Sequence, residues 1–376
     1  TMKFPLIAIP LFILAGSIMN TAGISRRLIA FASALVGFVK GGLAMINIAV
    51  SMFFAEISGS AVADVAALGS ILIPAMKKKG YPGPFSAAVT SSSASLAIII
   101  PPSIPMILYA VMAQSSVVQL FVAGIIPGIL GGFLMMFAAY IYARKKDLPV
   151  EEAFDFQNLK KTAKEAGLAF TLPLIILGGI FGGVVTATEG AGLAVVAALI
   201  IGFIHKELDF KSFYKAASEG ATQTAVVMLL VGASVLLGEF LTVEQIPQKV
   251  AESIIGITNN KYFVLMILNV FLLVIGLFLH SAAAIILTVP IVMPLVNAVG
   301  IDPVHFGIIV TLNLAIGQQT PPVASVLVTA CSVAKADIWE VTRANIMFIC
   351  VLLLLLILVT YVPAIPMTLV EYFYRS

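Results

Sequence analysis

The sequence predicts an all-α polytopic membrane protein built from two inverted structural repeats, each with one re-entrant helical hairpin and one broken helix. Of its 376 residues, 61% are hydrophobic and 10% are charged, whereas soluble domains carry about 25% charge. Uncharged stretches long enough to cross a bilayer recur between short polar loops. Related elements recur at one constant offset along the chain, which predicts the repeats. This composition excludes disorder, nucleic-acid binding and small disulfide-rich scaffolds.

Six stretches have the composition of uninterrupted membrane helices, which need about 20 apolar residues. Two further stretches, 85–113 and 305–334, are long enough to cross but contain Pro101-Pro102 and Pro321-Pro322. Because proline removes a backbone donor and clashes with the preceding turn, both are expected to be broken helices. The uninterrupted helices are predicted at 4–22, 117–143, 167–187, 188–205, 221–241 and 343–364.

Two regions, 41–76 and 262–298, are too long for a single crossing and carry a small polar kink near the middle. The kinks are Ser58-Gly59-Ser60 and His280-Ser281. A segment that enters the membrane and turns back is tolerated only where its turn is buried in protein or lines a cavity. Both regions are therefore predicted to be re-entrant hairpins. Interfacial arm helices are predicted at 26–39 and 247–258.

The internal repeat is visible when the chain is shifted along itself so that Pro101 falls on Pro321. Both hairpin kinks then superpose within one residue, and the first helix falls on 221–241. The predicted division is repeat 1 at 1–144, connecting helices at 145–220 and repeat 2 at 221–376. Five crossings separate equivalent points, so the second repeat is expected to be inverted. The same shift places Pro74 on Pro294, Gly80 on Gly300 and Pro102 on Pro322.

The basic residues predict the orientation, because Lys and Arg accumulate on the cytoplasmic side of membrane proteins. With these crossings, 17 of the 21 basic residues fall on one side and 4 on the other. Both termini are therefore expected outside. The first hairpin is expected to enter from the cytoplasm and the second from the opposite face. The minority side holds Lys3, Lys249, Lys261 and Arg375.

The sequence gives no support to catalysis, ATP hydrolysis or zinc binding. Cys331 and Cys350 are the only cysteines, both in apolar stretches and without a C-x-x-C spacing. The phosphate-binding G-x-x-x-x-G-K-[ST] and the zinc-binding H-E-x-x-H patterns are missing from the sequence. We therefore expect a protein that is not an enzyme, has no organic cofactor and draws energy from an ion gradient or another subunit. An ion channel is disfavoured, because a filter repeats around an oligomer axis, whereas these hairpins converge within one chain.

Polar residues accumulate at both hairpin tips and at both helix breaks. The N-termini of broken helices offer positive dipole ends to an anion, while unpaired carbonyls and hydroxyls can replace the water around Na⁺. We expect about two Na⁺ sites beside one substrate cavity. The candidate Na⁺ ligands are Ser58, Gly59, Ser60, Ser91, Ser93, His280, Ser281, Thr311, Asn313, Gly317 and Thr320. The candidate substrate-binding residues are Ser60, Ser92, Ser103, Ser281, Gln318, Gln319 and Thr320.

Two acidic residues, Glu56 and Asp64, flank the first tip. A carboxylate inside the membrane costs about 2.5–3.5 kcal/mol on insertion scales and is by default a functional candidate. These two residues either tune a cation site, carry a coupling proton or meet a polar partner. The hydroxyls have an alternative role in packing and back-bonding, which is common for Ser and Thr in membrane helices. His280 is either a proton sensor or a hydrogen-bonded structural residue.

Five motifs distributed along the chain resemble the large membrane subunit of tripartite ATP-independent periplasmic (TRAP) transporters. The resemblance implies an elevator-type, Na⁺-driven importer of organic acids in the bacterial inner membrane, with the hairpins and broken helices in the moving domain. It also implies two partners: a small membrane (Q) subunit and a periplasmic substrate-binding protein. The motifs are 4–12 (FPLIAIPLF), 57–64 (ISGSAVAD), 100–105 (IPPSIP), 300–307 (GIDPVHFG) and 320–322 (TPP).

Three departures from the family pattern refine these expectations. The family normally has one or two helices before the Phe-Pro motif, so the chain looks like part of a longer polypeptide, such as a fusion with the small subunit. Dicarboxylate carriers often have Asp-Pro where this chain has His280-Ser281, and apolar residues where it has Gln318-Gln319. The Gln-Gln-Thr-Pro-Pro form is similar to the sugar-acid branch, which favours N-acetylneuraminate. The alternatives are a C4-dicarboxylate or another sugar acid, or a proton-coupled carrier that acts without a binding protein.

Overall fold

The structure is a computed structural model that describes residues 4–151, 153–258 and 260–374. For six of these residues only the backbone is described: Phe4, Glu56, Ile57, Ser58, Val235 and Thr242. The described residues form helices joined by short loops, and they contain no strand. The prediction of an all-α fold is therefore confirmed.

The first part of the chain opens with a 3₁₀ turn at Phe4–Ile7 and continues through the first arm, the first hairpin and the first broken helix. A second 3₁₀ turn, Ser95–Ile98, lies where the broken helix is interrupted. The α-helices are α1 (Ala8–Thr21), α2 (Ile24–Val36), α3 (Gly42–Ser58), α4 (Ala61–Lys78), α5 (Gly83–Ala94), α6 (Ile104–Met112) and α7 (Val117–Lys145).

Two helices, α8 (Phe156–Phe181) and α9 (Ala187–Ile204), connect this part to the rest of the chain. The remaining helices are α10 (Phe210–Val243), α11 (Ile246–Ile255), α12 (Lys261–Phe278), α13 (Ser281–Ala298), α14 (Pro303–Gly317), α15 (Ser325–Ala334), α16 (Ile338–Tyr361) and α17 (Ala364–Tyr374).

Among the described residues, seven helices are long and apolar enough to cross a membrane. An eighth candidate span is formed by α1 and α2, which are bent by 73° at the break between them. The seven helices are α7, α8, α9, α10, α12, α13 and α16. The chain is thus a multi-pass membrane protein.

The predicted hairpins coincide with helix pairs, α3 with α4 and α12 with α13. At the first tip, Gly59 has φ +59°, a left-handed conformation that glycine adopts without a Cβ penalty, and it ends α3. The second tip turns differently, because Leu279 and His280 both have extended backbones and no left-handed residue is required. The two pairs also pack differently, because α3 lies against α4 along much of its length, whereas α13 packs mainly against α11 and α6 and little against α12.

Two helices begin more than ten residues before their predicted bounds. The helix predicted at 167–187 begins at Phe156, and the one predicted at 221–241 begins at Phe210. Both early segments carry charged side chains, so a criterion based on apolar length excludes them although the helical backbone continues. Asp155 caps α8 by accepting a 2.8 Å hydrogen bond from the Gln157 backbone amide. The terminal helix α17 was not predicted.

The two broken helices lie at the centre of the packing. Every residue of 85–94 in α5 and of 304–317 in α14 is buried. α5 contacts α3, α4, α15 and α16, and α14 contacts α12, α13 and α16. By contrast, α1 packs mainly against α9 and α10, at the side of this core.

Helix starts in the second half follow those in the first at the offset seen in the sequence. α4 and α13 begin at Ala61 and Ser281, and α5 and α14 begin at Gly83 and Pro303. Each pair is separated by the same interval as the two Pro-Pro motifs, 101–102 and 321–322, whose internal peptide bonds are both cis. The order of paired helices, broken helix and long helix is the same in both halves.

The loop between α7 and α8 is joined to the segment between α2 and α3. The Gly41 amide donates to Pro149 O at 3.1 Å, and the Glu151 amide donates to Gly37 O at 3.1 Å. Tyr81, from the loop after α4, accepts a 3.3 Å hydrogen bond from the Leu43 amide. Burial, together with the charge of Glu151, raises the pKa of Tyr81 to about 12. These contacts hold three loops together at one end of the molecule.

Candidate functional site

A cavity of about 590 Å³, called here the tip cavity, lies where the two hairpin tips and both helix breaks meet. Gly59 and Ser60 line it from the first tip, and His280 and Ser281 from the second. The structure thus brings together residues from both halves of the chain, as the transporter hypothesis requires. The other polar residues in the lining are Thr222, Gln223, Gln318, Ser325 and Thr329.

Four helices begin at the tip cavity. The first residues of α4, α6, α13 and α15 all line it, and none of these helices is capped by the side chain of its N-cap residue. The first amide groups of a helix have no partner within the helix, and its dipole favours an anion at this end. The arrangement is therefore suited to hold an anionic group. These first residues are Ala61, Ile104, Ser281 and Ser325.

The described part of the tip cavity lining contains no Asp, Glu, Lys or Arg. Among the described lining residues, the groups that favour an anion are therefore the helix N-termini and not Lys or Arg side chains. The cavity also contains an apolar wall, to which Ile98 and Pro105 contribute from the first break and Val226 and Val227 from α10. Such a mixture of apolar walls and a few convergent polar groups is typical of small-molecule sites.

The two adjacent glutamines at the second break have different environments. Gln318 lines the tip cavity, and its Oε1 accepts a 3.3 Å hydrogen bond from the Ser325 hydroxyl. Gln319 faces α5, where its Nε2 donates to Ser91 O at 2.5 Å and also contacts the Ser95 hydroxyl. Neighbouring residues of a helical turn point in different directions, so only one of the two faces the tip cavity. Gln319 joins the second break to the first broken helix.

Asn345 on α16 completes this buried contact. Its Oδ1 accepts a 2.5 Å hydrogen bond from the Ser92 hydroxyl, and its Nδ2 donates to Gln319 Oε1 at 3.3 Å. The exposed fraction of Asn345 is 0%. Ser92, a predicted substrate ligand, therefore bonds to protein here. Asn345 was missed by the sequence prediction, although one Asn in an apolar membrane helix is the signal that could have identified it.

The other predicted ligands of the first broken helix are engaged with neighbouring helices or with their own backbone. Ser93 lies 2.9 Å from Ser51 on α3, oxygen to oxygen. Ser91 donates to Ala88 O at 3.1 Å, and Ser103 donates to Ile98 O at 2.7 Å. These hydroxyl oxygens retain acceptor capacity while their protons are used.

In the second broken helix, Thr311 donates to Gly307 O at 3.0 Å, and Thr320 donates to Ile316 O at 3.0 Å. Asn313 Nδ2 donates to Asn269 Oδ1 on α12 at 2.7 Å. The Oδ1 atom of Asn313 is buried, and the described residues offer it no hydrogen-bond donor. A carbonyl oxygen of this kind is a suitable ligand for a hard cation.

Gly317 packs directly against Gly276 of α12. A Cβ atom at Gly317 would lie 2.5 Å from Gly276 Cα, a distance that real Cβ atoms essentially never show. The two backbones can approach this closely because both residues lack side chains. The contact lies just before the second break and just before the second tip, so it fixes their separation.

Of the candidate acids, Asp64 lies in the first turn of α4 and is fully buried. It does not line the tip cavity, and the dipole of α4 favours a negative charge at this end of the helix. The side chains of Glu56 and Ser58 lie outside the described residues. Within the described residues, there is no cluster of three or more His, Cys, Asp or Glu that could hold a metal.

Comparison with solved structures bears on the fold alone. The YdaH transporter of Alcanivorax borkumensis, whose crystal structure is described as having an unusual topology, superposes with a TM-score of 0.64. The two chains are 14% identical, and the match covers 96% of this chain and 84% of that one. A membrane transporter with very different residues thus shares the arrangement of helices described above.

Comparison with characterised sequences identifies closer relatives. The isethionate TRAP transporter permease protein DctMQ of Oleidesulfovibrio alaskensis is 44% identical over 367 residues, 97% of this chain and 58% of that protein. The C4-dicarboxylate TRAP transporter large permease protein DctM of Pseudomonas aeruginosa is 39% identical over 97% of this chain and 86% of its own length. The sialic acid TRAP transporter permease protein SiaT of Haemophilus influenzae is 35% identical over 96% of this chain and 59% of its own length.

The chain therefore spans just under three fifths of two of these relatives. The family model for the DctM component of tripartite ATP-independent periplasmic transporters matches residues 1–365, almost the whole chain. With the fold, the tip cavity and this match in agreement, the chain belongs to the DctM family, the large membrane permease component of TRAP transporters.

Proposed function

We propose that this chain is the large membrane subunit of a Na⁺-coupled importer that binds an organic acid in the tip cavity. The observation that carries the proposal is the convergence of four helix N-termini on a cavity whose described lining has no charged side chain. The acid group would be held by backbone amides and helix dipoles. An uncharged molecule would gain little from this arrangement.

The tip cavity favours an acid with one negative charge and additional neutral polar groups. A dicarboxylate would bring a second charge into a cavity without a cationic side chain, and a buried charge without a partner is unfavourable. Gln223, Gln318 and Thr329 supply amides and a hydroxyl for alcohol or amide groups of the substrate. N-acetylneuraminate, which the sequence favours, and isethionate, which the name of one relative specifies, both fit this description.

Coupling to Na⁺ is supported by oxygen atoms next to both breaks. Asn313 supplies a buried carbonyl oxygen, and the hydroxyls of Thr311, Ser91 and Ser93 retain acceptor lone pairs. Because these residues form two groups in corresponding parts of the chain, we propose two Na⁺ sites. The buried Asp64 motivates the alternative, in which a proton is the coupling ion.

We further propose that the chain acts in the bacterial inner membrane with a periplasmic binding protein and a small membrane subunit. Two relatives whose length is only about three fifths covered support a small subunit fused to the large one. An elevator movement, in which the hairpins and broken helices move past α1, α9 and α10, is consistent with the central packing of α5 and α14.

The test is uptake into proteoliposomes that contain the membrane subunits, with the binding protein present outside. Labelled isethionate, N-acetylneuraminate and succinate form the panel. We expect uptake of a monoanionic acid that requires an inward Na⁺ gradient, with succinate a poor substrate. Equal uptake with Na⁺ absent from both sides would exclude Na⁺ coupling. Loss of Na⁺-independent uptake in Asp64→Asn would instead support the proton-coupled alternative.

A further inference from the structure

A second cavity of about 570 Å³ continues from the tip cavity along α4, between α1 and α10. The two cavities share four lining residues, so they lie directly side by side. The second cavity is called here the crevice. The shared residues are Ile13 on α1, Ala63 and Ala66 on α4, and Gln223 on α10.

The crevice runs from the first hairpin tip toward the basic end of α4. On α4 it extends from Ala63 to Ile71, and the helix ends at Lys77 and Lys78. From the start of α4 to Ile71 the helix rises about 15 Å, at about 1.5 Å per residue. This is about half of a hydrocarbon layer of about 30 Å. Along α4, the crevice therefore covers a length of about half a hydrocarbon layer, between the first tip and the basic end of the helix.

Two walls of the crevice, formed by α1 and α10, carry polar side chains, and the third, formed by α4, carries mostly small side chains. α1 contributes Ser17, Asn20 and Thr21, which recur at helical spacing on one face. The oxygen of the Asn20 amide is buried and has no hydrogen-bond partner among the described residues, so it is not used to hold helices together. The α4 face is made of three alanines, Ser70 and, at its far end, Ile71, so small side chains leave room between the helices along most of the crevice.

The mouth of the crevice carries more positive than negative charge. Among its described lining residues the charged groups are Arg26, Lys215 and Glu219. Lys215 and Glu219 are 3.9 Å apart and largely exposed, so their pairing is weak and screened. An excess of one positive charge thus faces a passage that leads to a cavity suited to anions.

We infer that the crevice is an anion vestibule, in which Arg26 and Lys215 form a second, weaker site for the acid group of the transported molecule. The inference rests on the proposed function, because it assigns a position on the path of that same substrate. The molecule occupies this site between the tip cavity and the basic membrane face. The polar side chains of α1 and α10 solvate its neutral groups along the way.

The test measures access and charge by thiol labelling. Cys331 and Cys350 are first replaced by Ala, and Ser70→Cys is introduced on the exposed face of α4. The matched control is Leu72→Cys, on the same helix but 1% exposed. The probes are two methanethiosulfonates of similar size, one with an anionic sulfonate and one with a cationic trimethylammonium group. Both are applied to the whole transporter in membrane vesicles without any ion gradient.

We expect Ser70→Cys to react at least tenfold faster than Leu72→Cys. Lys215→Gln and Arg26→Gln should each lower the ratio of anionic to cationic labelling rates at Ser70→Cys by about two- to sixfold. This range is the effect of one unit charge at about 8 Å in water, with and without screening by salt. Lys145→Gln, at the end of α7 and outside the crevice, serves as the charge control and should leave the ratio unchanged. Excess isethionate should slow anionic labelling, and this protection should be lost when Arg26 and Lys215 are both Gln.

Equal rates at Ser70→Cys and Leu72→Cys would overturn the vestibule. A labelling ratio that is unchanged in both Gln variants, or protection that survives in the double variant, would overturn the anion site. None of these measurements requires transport. A failure of the proposed function, seen as a lack of Na⁺-driven uptake, is therefore distinguishable from a failure of this inference.

Discussion

Ser93 and Asn313 occupy equivalent positions in the two halves of the chain, and each joins a broken helix to the first helix of the hairpin in the same half. Ser93 contacts Ser51 on α3 at 2.9 Å, and Asn313 donates to Asn269 on α12 at 2.7 Å. Both contacts lie shortly before a break. In each half, the broken helix is therefore tied by a polar pair to the helix that precedes the tip.

Removing these polar pairs should loosen the hairpins. We expect Asn313→Ala to lower the free energy of unfolding by about 1 kcal/mol and Ser93→Ala by about 0.6 kcal/mol, in the range of interhelical hydrogen bonds in membranes. Thermal unfolding in detergent measures the difference. Thr368→Ala is the control, because its hydroxyl is exposed and bonds to its own helix. Equal losses in all three variants would contradict a specific role for the pairs.

Gly317→Ala tests the close crossing of α12 and α14. The new Cβ would clash with the backbone of Gly276, so the helices must separate, at a cost of about 1–3 kcal/mol. Uptake should fall because the second tip and the second break move apart. Gly232→Ala is the matched control, since a Cβ there meets nothing within 4 Å. It should be neutral or stabilising by up to about 1 kcal/mol. Wild-type melting and uptake in Gly317→Ala would show that the crossing tolerates a methyl group.

Asn345→Ala tests the buried contact between the two halves. The change leaves the Ser92 hydroxyl and the Gln319 amide without this partner, and each unsatisfied buried group costs about 1–3 kcal/mol. We expect a lower melting temperature and a reduced maximal uptake rate, with the Na⁺ concentration for half-activation little changed. Ser332→Ala, at an exposed position, is the control. A change confined to Na⁺ activation would assign Asn345 to an ion site instead.

The raised pKa of Tyr81 predicts a loss of stability at alkaline pH. Its pKa is raised from 10.0 to about 12 in the folded protein, so the neutral phenol is favoured there. The stability that the neutral phenol contributes is fully present below pH 10. It is lost as the pH rises from 10 through 12, by up to about 2–3 kcal/mol at about 1.36 kcal/mol per pKa unit. The stability difference between the parent and Tyr81→Phe should therefore be constant below pH 10 and shrink between pH 10 and 12. The exposed Tyr214→Phe should follow the parent throughout. A difference that does not vary with pH would assign the effect to packing alone.

The hairpin serines test the proposed Na⁺ coupling. Ser60→Ala and Ser281→Ala each remove a hydroxyl from the tip cavity. Each should raise the Na⁺ concentration needed for half-maximal uptake several-fold while the melting temperature changes little, because a single hydroxyl is lost. Ser332→Ala again serves as the control. Normal Na⁺ activation in both variants would indicate that the tips are merely structural.

The segments 41–76 and 262–298 were predicted close to the observed bounds of two helix pairs, because apolar length and a polar kink are properties of the chain itself. Their re-entrant path through the membrane stays a prediction. The sequence prediction missed the early starts of α8 and α10, since charged residues end an apolar stretch without ending a helix. The polar and apolar pattern of a segment therefore predicts the apolar part of a helix better than the full length of that helix.

The candidate site was only partly predictable for a different reason. Proximity to the Pro-Pro motif identified Gln318 and Gln319 together, but the direction of each side chain depends on the turn between α14 and α15. The contacts of Asn345 could not be predicted, because its partners Ser92 and Gln319 are not its neighbours in the sequence. Long-range contacts of this kind are set by packing and not by local pattern.

The four helix ends at the tip cavity make this site hard to dissect by alanine scanning. A dipole belongs to the backbone of a whole helix, so trimming one side chain leaves it in place. Single substitutions should consequently give modest losses of uptake, and their sum should understate the contribution of the helix dipoles to the proposed binding of an acid. Changes that unwind a first turn are the informative ones. The same property makes the site tolerant of side-chain exchange, so relatives with one helical framework could take up different acids.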